Sequence, residues 1–414
     1  MKMLHMAGLF WVMFAPSWSA TKNSCQQCHS SLGGDLATPA LLFKKDIHSQ
    51  HGFGCSDCHG GDPEADDPET AMSRARGFRG KIARTAVPKL CARCHSDATF
   101  MHKYAPQQRV DQYAQYQTSV HGKRIAAGDQ AAATCVDCHG IHNILQVKDT
   151  LSPVHPLRLP ATCAHCHADK ARMAKYNIPT DQFEEYRKSV HWEALEKRGD
   201  LSAPSCASCH GNHGATPPGV NSVAAVCGTC HVLMESLYEK SPHQAAFVRM
   251  KLAGCVVCHG NHAVFQPSVK MLQGDSSVCA QCHDATSGGG IAATRMAASL
   301  NSLTAAIKVS SEILGRATRD GMEVSEPQAR LQDAQELLIK ARVAVHAFDL
   351  AAVQAPVNEG LKITTETYQA GLSALKERDR RRLGLGISLI TIVMTIAGLW
   401  LAIRRLEKPS GTRG

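Results

Sequence analysis

Three features are missing or scarce in this sequence of 414 residues. None of its 18 cysteines lies outside one repeated motif, so no thiol is left for a separate role. Residues 20–286 show no sustained helical or strand period, which excludes an ordinary apolar core in that region. The net charge is +9, but residues 20–290 hold 27 Lys and Arg against 24 Asp and Glu, so we expect no binding to nucleic acid.

The repeated motif is Cys-x-x-Cys-His, which occurs nine times. Its two thiols lie on one turn of backbone, where they can form thioethers to the vinyl groups of a haem while the following imidazole binds the iron. Zinc sites also use Cys-x-x-Cys pairs, but they do not require a histidine directly after the second cysteine. The sequence therefore predicts nine covalently attached haems c, with zinc knuckles or a disulfide scaffold as the alternatives.

The predicted ligands of the nine motifs fall into two sets. The haem-attaching cysteines are Cys25, Cys28, Cys55, Cys58, Cys91, Cys94, Cys135, Cys138, Cys163, Cys166, Cys206, Cys209, Cys227, Cys230, Cys255, Cys258, Cys279 and Cys282. The proximal iron ligands are His29, His59, His95, His139, His167, His210, His231, His259 and His283.

An internal repeat organises these motifs. Its unit reads aromatic-x-x-Ser/Asp-x-His, then Cys-x-x-Cys-His-Gly, then a second Cys-x-x-Cys-His, and it begins at Phe43, Tyr116, Tyr186 and Tyr238. Four two-haem modules and a leading motif at Cys25 account for all nine motifs. The histidines that end the first part of the unit are predicted distal iron ligands: His48, His121, His191 and His243.

Three modules extend the first motif to Cys-x-x-Cys-His-Gly-x-His, which adds His142, His213 and His262. A histidine three residues beyond a proximal ligand cannot reach the opposite face of the same porphyrin, because the ring lies between them. We therefore expect each of the three to bind a neighbouring haem.

Nine irons need nine distal ligands for full bis-histidine coordination, and the repeat supplies seven. We predict that His155 and His51 fill the remaining positions, with His51 serving the Cys55 motif, which lacks the extra histidine. His102 stays an open candidate. His165 is expected to be a bystander, and His346 a packed or surface histidine with ligation as the alternative.

These repeats resemble the multihaem cytochrome c superfamily that includes pentahaem nitrite reductases, octahaem tetrathionate and hydroxylamine enzymes, and the tetrahaem electron carriers of nitrifiers. The resemblance rests on the Tyr-x-x-Ser-x-His and Cys-His-Gly-x-His spacings and covers about two thirds of the chain. It implies a wire of haems in alternating parallel-stacked and perpendicular pairs. The nitrite reductases carry a lysine in place of the motif histidine at their catalytic haem, and this sequence has no Cys-x-x-Cys-Lys.

Both ends of the chain predict a relation to a membrane. Residues 1–19 have the basic start, short apolar run and small residues of a cleaved signal peptide. Residues 383–403 are 21 residues without a charge, long enough to span a bilayer. Haem attachment of this type occurs on the oxidising side, so residues 20–286 should face the periplasm or exterior and 404–414 the cytoplasm. Quinol-oxidising relatives are anchored at the N-terminus, so the C-terminal anchor argues against direct quinol oxidation.

A helical segment separates the haem region from the anchor. Ser287-Gly288-Gly289-Gly290 is predicted to be a flexible boundary, followed by a helical bundle or stalk over residues 291–376. Its first helix is expected to stop at Gly321 and its second to begin with a capping box of Ser325 and Gln328. The third is expected to start near Asp349 or Pro356 and to run into the membrane.

The predicted fold class is mainly α with little regular structure: short helices around stacked haems, then a helical bundle and one transmembrane helix. We expect an electron carrier in an anaerobic respiratory chain, linking a membrane redox complex such as a quinol-oxidising complex to periplasmic or extracellular cytochromes. The alternative is a multihaem oxidoreductase that acts on a small nitrogen or sulfur compound at one five-coordinate haem.

Overall fold

The computed structural model describes residues 23–217, 222–274 and 276–407. Every regular element in these ranges is helical, which confirms the predicted fold class. The predicted signal peptide and most of the predicted cytoplasmic tail lie outside the described residues. The chain divides into two compact units, one comprising residues up to Val223 and the other beginning at Ala224.

The first unit consists of short helices joined by turns. Its α-helices are α1 (Ser24–Leu32), α2 (Gly34–Phe43), α3 (Ile47–Gln50), α4 (Cys55–His59), α5 (Pro68–Ala71), α6 (Val87–His95), α7 (Ala98–Tyr104), α8 (Gln112–Thr118), α9 (Val120–Ala126), α10 (Cys135–His139), α11 (Leu159–His167), α12 (Lys170–Ala174), α13 (Gln182–Tyr186), α14 (Val190–Trp192) and α15 (Cys206–His210). The longest has 10 residues. Helices this short are marginal in isolation, so tertiary contacts must hold them in place.

The repeat unit has a clear structural role in the first unit. The Ser119 hydroxyl donates to the carbonyl oxygen of Tyr116 at 2.7 Å and accepts the Gly122 N–H at 3.0 Å, so it caps the helix that carries the distal histidine. The Tyr116 hydroxyl donates to the Ala133 carbonyl at 2.7 Å, and Tyr186 does the same to Pro204 at 2.8 Å. Each tyrosine thus ties a distal-histidine helix to the chain just before the next motif.

The second unit contains three more short helices and a bundle of long ones. They are α16 (Val232–Glu239), α17 (Pro242–Met250), α18 (Val256–His259), α19 (Gly288–Arg319), α20 (Ser325–Ala344) and α21 (Leu350–Leu406). The bundle buries a continuous apolar cluster that includes Leu303, Leu314 and Val353. Gly360 of α21 lies against Leu303 and Gly371 against Ile313, so the closely packed helices α19 and α21 run in the same direction.

The predicted flexible boundary at Ser287–Gly290 is wrong. The Ser287 side chain accepts the Gly290 N–H at 3.2 Å, and α19 begins at Gly288 without a linker. A Cβ atom on Gly289 would lie 2.5 Å from Nδ1 of His283. The glycines therefore allow the last motif to pack directly on the start of α19, rather than supplying flexibility.

The ends of the long helices were predicted with mixed success. Gly321 has φ +77° just after α19, as expected, and the Asp349 side chain caps α21, while Pro356 lies inside that helix. The capping box is wrong: Ser325 is the first residue of α20 and its hydroxyl donates to Glu323, while the Gln328 amide donates to Thr318.

Helix α21 has 57 residues and carries the predicted membrane span at its C-terminal end. It is the one helix in the described part of the chain that is long and apolar enough to cross a membrane, and its most apolar stretch is fully exposed. Near the start of that stretch, the guanidinium of Arg378 pairs with Asp320, and Arg382 lies 3.6 Å from the same carboxylate.

Candidate haem sites

Each Cys-x-x-Cys-His motif forms a turn of helix. Three motifs are complete five-residue helices, α4, α10 and α15, and the motifs at Cys91 and Cys163 end the longer helices α6 and α11. Cysteines three residues apart in a helix lie on one face, so both thiols of a motif point to the same side. All 18 cysteines lie in the described ranges, and each is a free thiol rather than part of a disulfide.

The glycine that follows the first motif of every module is required by the backbone. Gly60, Gly140, Gly211 and Gly260 have φ between +72° and +84° with extended ψ, a conformation that is essentially restricted to glycine. A Cβ atom on Gly60 would also lie 2.0 Å from the Gly77 carbonyl oxygen. This geometry explains why the first motif, but not the second, continues as Cys-x-x-Cys-His-Gly.

The structure brings motif histidines together with histidines from outside the motifs. Six such pairs occur in the described residues, with ring centroids 5.8–6.1 Å apart: His48 with His95, His59 with His142, His121 with His167, His139 with His213, His243 with His283, and His259 with His346. Two imidazoles that bind one metal ion from opposite sides, each at about 2 Å, have centroids about 6 Å apart. The residues therefore fit an iron held between each pair.

The pairs follow one rule along the repeat. The histidine of the first part of a unit meets the second motif of its own module, as His48 meets His95. The extra histidine of Cys-His-Gly-x-His meets the first motif of the preceding module, as His142 meets His59 and His213 meets His139. His142 has φ +61°, a strained conformation for a residue other than glycine.

The two histidines predicted to fill irregular positions lie elsewhere. The His51 ring is exposed and contacts Tyr104 with centroids 5.9 Å apart, because the place beside His59 is taken by His142. His155 is buried, and its Nδ1 accepts the Leu157 N–H at 3.4 Å. Within the described residues, neither ring contacts a motif histidine. His102 and His165 are exposed.

Three motif histidines do not belong to the six pairs. His210 and His231, like the predicted distal ligands His191 and His262, interact with other groups of the protein. His29 differs, because no histidine ring of the described residues stacks on it. Its Nδ1 lies 3.2 Å from the Leu36 carbonyl oxygen.

Several of these imidazoles are oriented through Nδ1. The Nδ1 of His59 lies 2.9 Å from the Gly80 carbonyl oxygen, and that of His48 lies 2.8 Å from the Asp46 carboxylate. Donation from Nδ1–H leaves the Nε2 lone pair for a metal ion. Burial would raise the pKa of Asp46, but hydrogen bonds from His48 and from the Ile144 N–H lower it overall, so this carboxylate stays charged.

Burial also keeps the paired imidazoles neutral. It lowers the pKa of His139 to about 4, with the nearby His213 adding to the effect. The pKa values of His95, His121 and His259 are lowered by burial in the same way. A neutral imidazole is the form that binds iron.

Neighbouring motifs are in contact through their thiols. Hydrogen bonds join Cys91 to Cys135, Cys163 to Cys206 and Cys227 to Cys255, so the second motif of one module meets the first motif of the next. Within modules the thiols of Cys58 and Cys94, Cys138 and Cys166, and Cys258 and Cys279 interact. In each unit the motifs therefore follow one another in space in their order along the chain.

Thiol pairs on one helical turn, each followed by a buried imidazole that faces a second imidazole at iron-binding spacing, define a multihaem c-type cytochrome. Residues 199–284, which contain four of the motifs, match the family model described as cytochrome c3. The match supports covalently bound haem and a role in electron transfer. No curated protein and no solved structure matches this chain.

His346 is the site residue that sequence reasoning assigned wrongly. A signal for it exists: first motifs pair with an extra histidine of the next module, and the last module has no successor. His346 is the only histidine after His283 in the sequence.

Proposed function

We propose that the protein is a membrane-anchored nonahaem cytochrome that carries electrons along a linear series of haems in a respiratory chain. The observation that carries this proposal is the combination of six histidine pairs at iron-binding spacing with thiol contacts that link successive motifs. Haem c at each motif supplies a one-electron ferric–ferrous couple, and contact between successive motifs gives the short separations that electron hopping needs.

In this proposal the protein residues hold the haems and exclude substrate. Cysteine thioethers fix each porphyrin, the motif histidine binds one face of the iron, and the paired histidine closes the other face. The distal ligands are His48, His121, His142, His213 and His243 in their observed pairs, and His191 and His262 keep their predicted role. Two imidazoles leave no open coordination position, so these irons exchange electrons without binding a small molecule.

We further propose that residues 383–403 anchor the chain in the cytoplasmic membrane, with the haem units on the periplasmic or exterior side. Protease added to intact spheroplasts should remove the haem-bearing part and leave a small membrane fragment. Protection of the haems would overturn this orientation. Redox partners are then a membrane quinol-oxidising complex on one side and periplasmic or extracellular cytochromes on the other.

The carrier function is tested on the detergent-solubilised full chain after haem maturation. Mass measurement should show nine haems, ferric spectra should be dominated by low-spin signals, and the protein should be reduced and reoxidised reversibly without turnover of nitrite, hydroxylamine or tetrathionate. Seven haems or fewer would contradict the module assignment, and turnover would contradict the carrier function.

The arrangement at His29 favours a second candidate, an oxidoreductase with its substrate site at the leading haem. The Cys25 motif stands where the second motif of a preceding module would, but no repeat unit precedes it to supply a distal histidine. The vacancy that the sequence predicted at Cys55 is filled by His142, so the candidate for an open iron moves to Cys25. Turnover that is lost on replacing Cys25 and Cys28 with serine would establish this function.

A further inference from the structure

The connection between α20 and α21 lies against the last module. The chain leaves α20 through a 3-10 turn, Val345–Ala347, and Phe348 then adopts φ +53° before α21 begins. The His346 ring in this turn lies 6.1 Å from the His259 ring, and the two planes are 17° apart. The same spacing relates His59 to His142 and His139 to His213, the corresponding pairs of the first two modules.

The orientation of His346 matches that of a metal ligand. Its Nδ1 lies 3.0 Å from the Val343 carbonyl oxygen, so Nδ1–H donates to the backbone and the Nε2 lone pair is left free. A hydrogen bond of this kind fixes the tautomer and the ring orientation of histidines that bind metals. The positive φ of Phe348 adds local strain, which persists only where surrounding contacts hold it.

The neighbouring Phe348 makes a second contact to the same module. Its ring lies 3.8 Å from that of His243, which in turn pairs with His283. One short turn thus carries an imidazole toward the Cys255 motif and an aromatic ring against the proposed distal ligand of the Cys279 motif.

We infer that His346 is the distal iron ligand of the haem attached at Cys255 and Cys258, so the helical bundle completes the haem region rather than serving only as a stalk. The inference rests on the proposed binding of haem at that motif. Attachment of the bundle is then coupled to the electronic properties of a specific haem, because displacement of the α20–α21 turn removes a ligand from its iron.

The test compares variants of the detergent-solubilised full chain that differ in one side chain. His346→Ala should keep the same number of attached haems by mass but convert one low-spin ferric haem to high spin. Its reduced form should bind one more carbon monoxide per chain than the unmodified protein. His346→Met should stay low spin while the potential of one haem rises, because a thioether ligand favours the ferrous state.

Two controls separate ligation from packing. His165→Ala removes an exposed histidine inside the Cys163 motif and should leave spin state and carbon monoxide binding unchanged. Phe348→Leu disturbs the same turn without removing an imidazole, and it should also leave the haem of Cys255 low spin. An unchanged spectrum in His346→Ala would overturn the inference, as would an equal high-spin fraction in Phe348→Leu. Absence of haem from the Cys255 peptide of the unmodified chain would instead contradict the proposed function.

Discussion

Replacing Gly60 with alanine should destabilise the first unit more than the same change at Gly33. Both glycines have φ +72° and extended ψ, so both variants incur the cost of placing a side chain in a glycine-only region, about 1–3 kcal/mol. They differ in space: a Cβ on Gly60 would lie 2.0 Å from the Gly77 carbonyl oxygen, whereas a Cβ on Gly33 meets nothing within 4 Å.

The clash at Gly60 adds an overpacking cost of about 1–3 kcal/mol, because backbone rather than a flexible side chain must move. At roughly 2–4 °C per kcal/mol for a unit of this size, Gly60→Ala should melt about 2–12 °C below Gly33→Ala. The assay is thermal unfolding of the full chain, followed by the loss of low-spin haem absorbance. Equal melting temperatures for the two variants would refute the steric explanation of the Cys-His-Gly motif.

Three further predictions concern charge and coordination. Asp46→Ser keeps a helix cap of the kind found at Ser119 but removes the carboxylate beside His48, so the potential of the Cys91 haem should rise by about 60 mV for each tenfold loss of ferric stabilisation; an unchanged redox titration would contradict the role of Asp46. Carbon monoxide should bind the reduced unmodified protein only at the Cys25 haem, and binding by several haems would contradict the proposed ligand set. The hydrogen bond from Arg378 lowers the pKa of Asp320 below its ordinary 3.8, so this carboxylate stabilises the bundle above that value and its contribution is lost as the pH falls through the lowered pKa; Asp320→Asn should therefore melt lower at neutral pH and show a weaker acid dependence, and parallel pH profiles would contradict the pairing.

Local signals in the sequence predicted the elements that depend on a few adjacent residues. Gly321 and Asp349 mark helix ends through their own backbone or side-chain geometry, and both predictions are confirmed. Ser325 shows the limit of this approach, since a hydroxyl in a capping sequence can donate to Glu323 instead of capping the helix. The three glycines before α19 indicated flexibility in sequence, but their role comes from packing against His283, which no local pattern reveals.

The distal positions depended on knowing which module lies beside which. The rule that His142 and His213 serve a neighbour could be argued from the position of a porphyrin, but the identity of that neighbour could not. His51 was preferred for the Cys55 motif because it is near in sequence, whereas His142 is the residue near in space. His346 was discounted because a histidine inside a helical segment is usually packed or exposed, and its partner is brought to it only by the fold of the bundle.

The length of α21 sets the height at which the last haems operate. Between Leu350, next to the turn that holds His346, and Leu383, where the apolar run begins, the helix extends about 50 Å at 1.5 Å per residue. Tunnelling rates fall exponentially with distance, so a quinone head group at the bilayer surface cannot reduce the Cys255 haem across that gap. Electrons must cross this vertical distance through cofactors of a partner that rises alongside the bundle, and the bundle acts as a ruler that selects partners of matching height.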